Sequence, residues 1–310
     1  MLRILSLLTA FTVLFGCGCP QKYCPSDTPP PLPNCPEVPQ PVRVALVLGG
    51  GGARGLAHVG ALEVLDEAGV PIDLVIGCSA GSIVGALYAD CPDTEHLKET
   101  LMSLSSNYIF DIDLWNARFG VCQGKTLRRF LKNNLSATTF EELQVPFFLV
   151  TTDLYSSELV ILGGGPLVPA VEASCTLPVV FVPTWLHGRA FVDGGVIDPV
   201  PVRVARYFNS DVIISVDLRG LLPKEFPTNI LGVAARSADI TLLWQSESCV
   251  HHSDVIIRPY LDDSVGCFAG DEYHEVIYQS GRTAALEALP KIRAVLAAKG
   301  ICLESKTVNE

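Results

Sequence analysis

Positive charge is scarce in this chain. Its 310 residues carry 22 lysines and arginines against 33 aspartates and glutamates, a formal net charge of -11. The basic residues nowhere gather into a cluster, which disfavours nucleic-acid binding and electrostatic attachment to anionic lipid. Long apolar runs are missing too. After residue 16 no stretch is long enough to span a bilayer as a helix, although 49% of the residues are hydrophobic. Zinc-site spacing is a third absence: none of the 11 cysteines falls into it, and Cys17, Cys19, Cys24 and Cys35 crowd one segment. The length suits one large domain with a substantial core.

What is present is organised around residues 44–87. Val44-Ala-Leu-Val-Leu48 is too short for a helix and too continuously apolar to face water, so it reads as a buried strand. Gly49-Gly50-Gly51-Gly52-Ala53-Arg54-Gly55 ends it. From Gly55 the period becomes helical, with Leu56, Val59, Leu62 and Leu65 on one face until Gly69 and Pro71 stop it. A second strand, predicted over residues 72–76, runs into Gly77-Cys78-Ser79-Ala80-Gly81 and a helix through Ile83, Leu87 and Tyr88. In a parallel sheet both loops emerge at one carboxyl edge, where open α/β sheets place their sites.

Successive glycines let backbone N–H groups converge on a ligand, and the following helix adds its positive end; a phosphate or the oxyanion of acyl transfer fits there. Gly-x-Ser-x-Gly sets a serine on a sharp strand-to-helix turn with its hydroxyl exposed. Either motif alone is weak. Together, with oxyanion donors one βα unit ahead of a nucleophile, they point to a serine hydrolase. Other readings stand beside this one. Gly50-x-Gly52-x-x-Gly55 fits the dinucleotide fingerprint, but that motif expects an acid at the end of the next strand, where this chain has Gly77-Cys78-Ser79. Asp73 lies at the start of that strand instead. A glycine-flanked serine is also an ordinary turn. Arg54 either holds the loop or meets a lipid phosphate, or else only pairs with a nearby acid; His58 reads as a structural histidine.

Residues 1–16 have the form of an export signal, with Arg3 followed by an apolar core over residues 4–15. Leu14-Phe15-Gly16-Cys17 resembles the lipobox of bacterial lipoproteins, whose cysteine is acylated and becomes the mature N-terminus. The alternative is an ordinary signal with a chance cysteine. Residues 18–41 hold nine prolines among polar residues and form a semi-rigid linker; the domain proper is expected over residues 42–305. Exported and lipid-anchored, the protein belongs on this reading in a bacterial cell envelope, at the periplasmic or outer-membrane side.

Farther along, helices are expected over residues 94–104, from a Thr126 cap through Leu127, Phe130, Leu131 and Leu135, over 169–175, around 231–248 and over 279–298. Strands are expected over residues 147–150, 159–162, 212–216 and 255–257, and ending at Asp193. Residues 107–120 show no period. Gly120 to Thr126 misses the nucleotide phosphate loop, which needs four residues before Gly-Lys-Thr where this chain has three.

Taken together, Gly50-Gly51-Gly52-Ala53-Arg54-Gly55, Gly77-Cys78-Ser79-Ala80-Gly81 and Asp193-Gly194-Gly195 resemble the patatin-like phospholipase family. Val150-Thr-Thr-Asp153, Ser174-Cys-Thr-Leu-Pro178 and Val196-Ile-Asp-Pro-Val-Pro201 support the resemblance. It implies a three-layer α/β/α fold with a mostly parallel central sheet. It further implies a Ser–Asp dyad without a catalytic histidine: Ser79 as nucleophile, Asp193 as general base, and the N–H groups of Gly50, Gly51 and Gly52 as oxyanion hole. Such chemistry needs neither metal nor organic cofactor. The implied substrate is a phospholipid or lysophospholipid. Without the resemblance, Asp193-Gly194 reads as a turn.

Two rivals remain at this level. One is a triad esterase of the α/β-hydrolase kind, with His251, His252 or His274 as base and an oxyanion N–H from Ala80. The other is a non-catalytic lipid- or nucleotide-binding lipoprotein. The lipobox itself is testable: mass spectrometry of the N-terminal peptide should find a mature chain that starts at acylated Cys17, and an unmodified cysteine or cleavage elsewhere rejects the anchor.

Overall fold

The computed structural model describes residue 38 and residues 40–104, 109–219, 226–263 and 265–303. The expected export signal, Cys17 and nearly all of the expected proline-rich linker lie outside the described residues.

β1 (Val44–Leu48) is buried along its whole length, as its unbroken apolar run requires. The glycine loop follows and closes in one 3-10 turn, Gly52–Gly55, before α1 (Leu56–Glu67). β2 spans Leu74–Cys78, two residues beyond the expected 72–76. The shift has a cause. The Asp73 carboxylate accepts the amides of Arg43 and Val44 at 2.9 and 2.7 Å, so Asp73 caps the start of β1 and the ladder begins one residue later. α2 (Ala80–Asp90) and α3 (Thr94–Met102) follow, the second opened by Asp93, which accepts from the amides of Glu95 and His96.

β3 (Gly120–Cys122) leads into α4 (Lys125–Asn134). Thr126 does not cap α4. Its hydroxyl donates to the Ile109 carbonyl, while Gly124 is the cap residue and Asp111 accepts the amides of Gly124 and Lys125, both at 2.8 Å. Then come β4 (Phe147–Asp153), β5 (Leu159–Leu162), α5 (Leu167–Ser174), β6 (Val179–Phe181), β7 (Thr184–Leu186) and β8 (Arg189–Asp193). α6 (Val202–Tyr207), β9 (Val212–Val216), α7 (Ile230–Val250), β10 (Val255–Ile257) and α8 (His274–Ala298) complete the fold. α8 starts five residues before the expected 279, after a 3-10 turn at Asp271–Tyr273.

The main sheet runs in the order β10-β9-β1-β2-β4-β8-β7, with β5 also paired to β4. β10, β9, β1, β2 and β4 are parallel; β5, β7 and β8 are antiparallel additions at one side. Strand alternation divides the core in two. Val44, Leu46, Leu48, Leu149 and Ile214 pack with α1, α2, α3, α5 and α8 on one face. Ala45, Val47, Ile76, Val150 and Ile213 pack with α6 and the end of α7 on the other. The result is the three-layer α/β/α arrangement.

The register of β4 positions the site. β5 covers one of its edges, from Leu149 to Thr152. On the other edge β2 pairs as far as Cys78↔Val150, and β8 takes over at Thr151↔Asp193. The tip of β2 and the tip of β8 therefore meet head to head. Close packing there demands glycine: a Cβ on Gly81 would lie 2.1 Å from the Leu48 carbonyl oxygen. Gly81→Ala is expected to cost about 1–3 kcal/mol in denaturant unfolding, whereas Gly266→Ala, whose Cβ would meet nothing nearer than 4.0 Å, should leave stability within roughly 0.5 kcal/mol.

Candidate active site

Ser79 stands at the turn from β2 to α2 with φ 51° and ψ -122°, a left-handed conformation that a serine holds only under constraint from its surroundings. The constraint is visible. Its amide donates to Ser174 Oγ at 3.0 Å, and its carbonyl accepts from the amide of Ser82 at 2.7 Å and from Cys175 Sγ at 3.1 Å. Ser174 Oγ in turn donates to the Val150 carbonyl and lies 2.7 Å from Ser82 Oγ. The turn is thus bolted to β4 through one buried hydroxyl.

Asp193 ends β8 and is 3% exposed. The β4 register sets its carboxyl beside the serine turn, and the Ser79 side chain favours its charged form. Oδ1 also accepts the Gly195 amide at 2.8 Å and meets Cys78 Sγ at 3.9 Å. Burial pushes the Asp193 pKa up to about 6, against the opposing pull of the Ser79 side chain, then of the Gly195 amide and the Cys78 thiol. Burial, reinforced by the Asp193 charge, holds the Cys78 and Cys175 thiols far above their ordinary range, so both remain protonated donors.

The residues that sequence reasoning missed are Ser174, Cys175 and Thr176. Ser174 and Cys175 grip the Ser79 backbone, and the Thr176 carbonyl accepts the Asp193 amide at 2.9 Å. One three-residue segment clamps both partners. The only signal for it was the resemblance of Ser174-Cys-Thr-Leu-Pro178, since Ser174 and Cys175 reach Ser79 across 95 and 96 residues of sequence.

The glycine loop lies against the serine turn. A Cβ on Gly50 would be 3.4 Å from Ser79 Cβ, so the loop passes close to the hydroxyl. Its three amides are not equivalent. Gly50 N–H donates to the Pro199 carbonyl at 2.9 Å, while among the described residues no acceptor takes the amides of Gly51 or Gly52. Gly52, at φ 60°, is held by its neighbour: Ala53 N–H donates to the Cys267 carbonyl at 2.9 Å. Arg54 fastens the loop from outside. Nη1 donates to the Leu218 carbonyl at 3.1 Å and Nη2 to Cys267 Sγ at 2.6 Å, with the Asp239 carboxylate within electrostatic reach.

His58 is fully buried. Its Nε2 donates to the Gly49 carbonyl at 2.7 Å, and burial lowers its pKa to about 4, so it is a neutral strut beneath the loop. His251 and His252 are exposed and follow α7 at the sheet's amino edge, where Asp254 N–H bonds the Ile213 carbonyl at the start of β9. They are at the wrong end of the sheet for Ser79. His274 lies at the carboxyl edge, its Nε2 3.6 Å from Asp271 Oδ1. Asp73 is occupied in capping β1, and β2 ends in Gly77 and Cys78 with Ser79 next, so no acid stands where the dinucleotide fingerprint needs one.

The profile of the patatin-like phospholipases matches residues 46–206, just over half of the chain. The chain belongs to the patatin-like phospholipase family. It is 37% identical to mouse patatin-like phospholipase domain-containing protein 6 over 277 residues, 77% of this chain and 20% of that protein. An uncharacterized NTE family protein of Mycobacterium tuberculosis is 33% identical over 180 residues, 57% of this chain and 49% of the relative. A lysophospholipase of Neurospora crassa is 33% identical over 199 residues, 62% of this chain and 13% of the relative. The chain therefore spans between about an eighth and a half of these relatives. Among solved structures, VipD from Legionella pneumophila shares the fold, with a TM-score of 0.54 and 15% identity over 81% of this chain and 67% of that one. In this patatin-like chain the glycine loop, the serine turn and the Asp193 turn all fall within or beside the matched core of the fold.

The raised Asp193 pKa has two consequences of known sign. If Asp193 acts as a base it must be ionised, so kcat/KM should fall about tenfold per pH unit below about 6. Glu172, two residues before the clamp and pushed up to about 7 by burial, is the neighbouring group to control for: Glu172→Gln should leave that limb in place. For stability, a carboxyl favoured in its protonated form stabilises the fold fully below its unfolded value of 3.8, and that contribution is lost as pH rises through about 6. Asp193→Asn should therefore raise stability at pH 8 by up to about 3 kcal/mol and by much less at pH 4; equal effects at both would contradict the shift.

Proposed function

We propose that this chain is a serine acyl hydrolase acting on phospholipid or lysophospholipid. The observation that carries the reading is the juxtaposition of Ser79 and the buried Asp193 carboxyl where the tips of β2 and β8 meet on β4, beside a glycine loop with two amides to offer. In this reading Ser79 attacks the ester carbonyl and Asp193 takes its proton. A carboxylate near 6 suits that task at neutral pH better than one near 4. The amides of Gly51 and Gly52 receive the oxyanion, each donor worth roughly 2.7–4 kcal/mol of barrier. Gly50, whose amide is already bonded to Pro199, supplies close approach rather than a donor. Arg54 acts by fastening the loop.

Membership of the family and relatives named as phospholipase and lysophospholipase support a lipid ester as substrate. An acylated Cys17 on a proline-rich linker would keep the domain beside its membrane substrate, with a second contact needed for stable anchoring. The acidic chain makes that contact apolar rather than electrostatic. A triad esterase is the competing reading; of His251, His252 and His274, only His274 lies at the carboxyl edge of the sheet.

Labelling with a fluorophosphonate probe and hydrolysis of a phospholipid and lysophospholipid panel test the proposal together. Ser79→Ala and Asp193→Asn should each lower kcat by at least about a thousandfold in folded protein, whereas His251→Ala, His252→Ala and His274→Ala should keep most of it. A histidine variant as dead as Ser79→Ala beside an active Asp193→Asn rejects the dyad in favour of a triad. Absence of both labelling and hydrolysis leaves a binding protein.

A further inference from the structure

We propose that the outer face of α7 seats this domain on a zwitterionic lipid bilayer, with the active site at the lipid surface. The inference rests on the lipid-hydrolase reading and adds the surface by which the enzyme meets its substrate. α7 is packed into the core only at its end. Ser246, Cys249 and Val250 are buried, and Ser246 Oγ donates to Asp217 Oδ1 at 2.6 Å just past the carboxyl end of β9. From Ile230 to Gln245 no described residue is buried. Those turns, roughly 24 Å of helix, extend beyond the sheet beside the site. A Cβ on Gly195 would lie 3.9 Å from Leu242 Cδ2, Gln245 Nε2 donates to the Val196 carbonyl at 3.1 Å, and Asp239 is within electrostatic reach of Arg54.

The outer side of these turns is apolar. Ile230, Val233, Ile240 and Trp244 recur at helical spacing with Ser237 in the same row; Ile230 is 87% exposed and Trp244 71%. Phe226, just ahead of the helix, is 86% exposed. Among the described residues from Phe226 to Ser248, every exposed one is uncharged. The three charges of α7 are half-buried and occupied: Glu247 pairs with Arg219 and Arg258, and Asp239 lies in the fields of Arg54 and Arg236. A helix that faces water carries charge on its outer side, whereas an uncharged apolar row bearing a tryptophan suits the bilayer interface. Phe268 adds to that surface at the glycine loop, since it is exposed and its neighbour Cys267 holds Ala53 and Arg54.

Charge and position select the occupant. Nothing exposed on the face is cationic and the chain carries -11, so anionic lipid gains no attraction from it. A second copy would bring two such chains together beside the site that lipid must reach. No described helix is long and apolar enough to cross a membrane; α7 lies along it. An anchor ahead of Val42 would enter at the amino edge, where the Val42 carbonyl accepts the Asp211 amide, at the opposite end of the sheet from the site. The α7 contact is what turns the carboxyl edge to the lipid.

The full chain with Trp115→Phe and Trp185→Phe keeps Trp244 as its sole tryptophan. In a Ser79→Ala background, phosphatidylcholine vesicles brominated on their acyl chains should quench Trp244 and shift its emission to the blue, equally at low and high salt. Phosphatidylglycerol vesicles should quench it less at low salt. Unquenched Trp244 in protein that co-sediments with phosphatidylcholine vesicles, or no vesicle binding at all, overturns the proposal. So does an emission shift that follows protein concentration without vesicles, which assigns the face to a second copy. With Ser79 restored, Ile230→Asp with Trp244→Asp should lower hydrolysis of phosphatidylcholine vesicles containing lysophosphatidylcholine by roughly tenfold or more. Turnover of soluble p-nitrophenyl butyrate should stay parental, as should both rates in Tyr207→Asp, an exposed residue of α6. Equal losses on vesicle and soluble ester, or no loss on either, count against docking. A parent that quenches on vesicles but hydrolyses no ester leaves docking in place and rejects the hydrolase reading.

Discussion

The edge that β4 offers to two strands in turn is the constraint on which the site depends. Val150 pairs with Cys78 and the next residue, Thr151, pairs with Asp193. Two tips that arrive from opposite directions are thereby fixed one residue apart, and their side chains meet without any long-range search. The segment after α5 locks the same junction from above, with Ser174 bonded to Ser79 N–H and to the Val150 carbonyl, and Thr176 bonded to Asp193 N–H. Glycine is required where backbones cross so closely. Besides Gly81, a Cβ on Gly194 would fall 2.4 Å from the Val150 carbonyl oxygen.

A junction this tight stores cost. Ser79 is held at positive φ and Asp193 is a carboxyl removed from water. Both are local losses that the packed sheet offsets; one keeps the serine turn sharp, and the other raises the affinity of the carboxylate for a proton. The glycine loop adds a third prepared element. It is held by Pro199 through Gly50, by Cys267 through Ala53, and by Leu218 and Cys267 through Arg54, so the loop that carries the Gly51 and Gly52 amides is fixed in place.

Much of this was legible in the sequence because it is local. β1, the helical period from Leu56 and the short strands at 159–162, 212–216 and 255–257 follow from apolar runs and their punctuation. What was not legible depends on pairing at a distance. The apolar run at 147–150 gave no sign that β4 continues through the polar Thr151-Thr152-Asp153, since those residues are strand only because β8 pairs with them. Asp111 caps α4 from a segment with no period of its own, which left Thr126 as the apparent cap. The inequality of the three glycine amides arises from Pro199, about 150 residues away in sequence, and no motif encodes it.

On the proposed mechanism the oxyanion is received by the glycine loop and not by the amide after the serine. A crystal structure of the Ser79 phosphonate adduct tests it directly. The phosphonyl oxygen is expected about 2.7–3.1 Å from the amide nitrogens of both Gly51 and Gly52, with Asp193 beside the serine oxygen. A phosphonyl oxygen bonded instead to Ala80 N–H, with an imidazole against the serine oxygen, would contradict it.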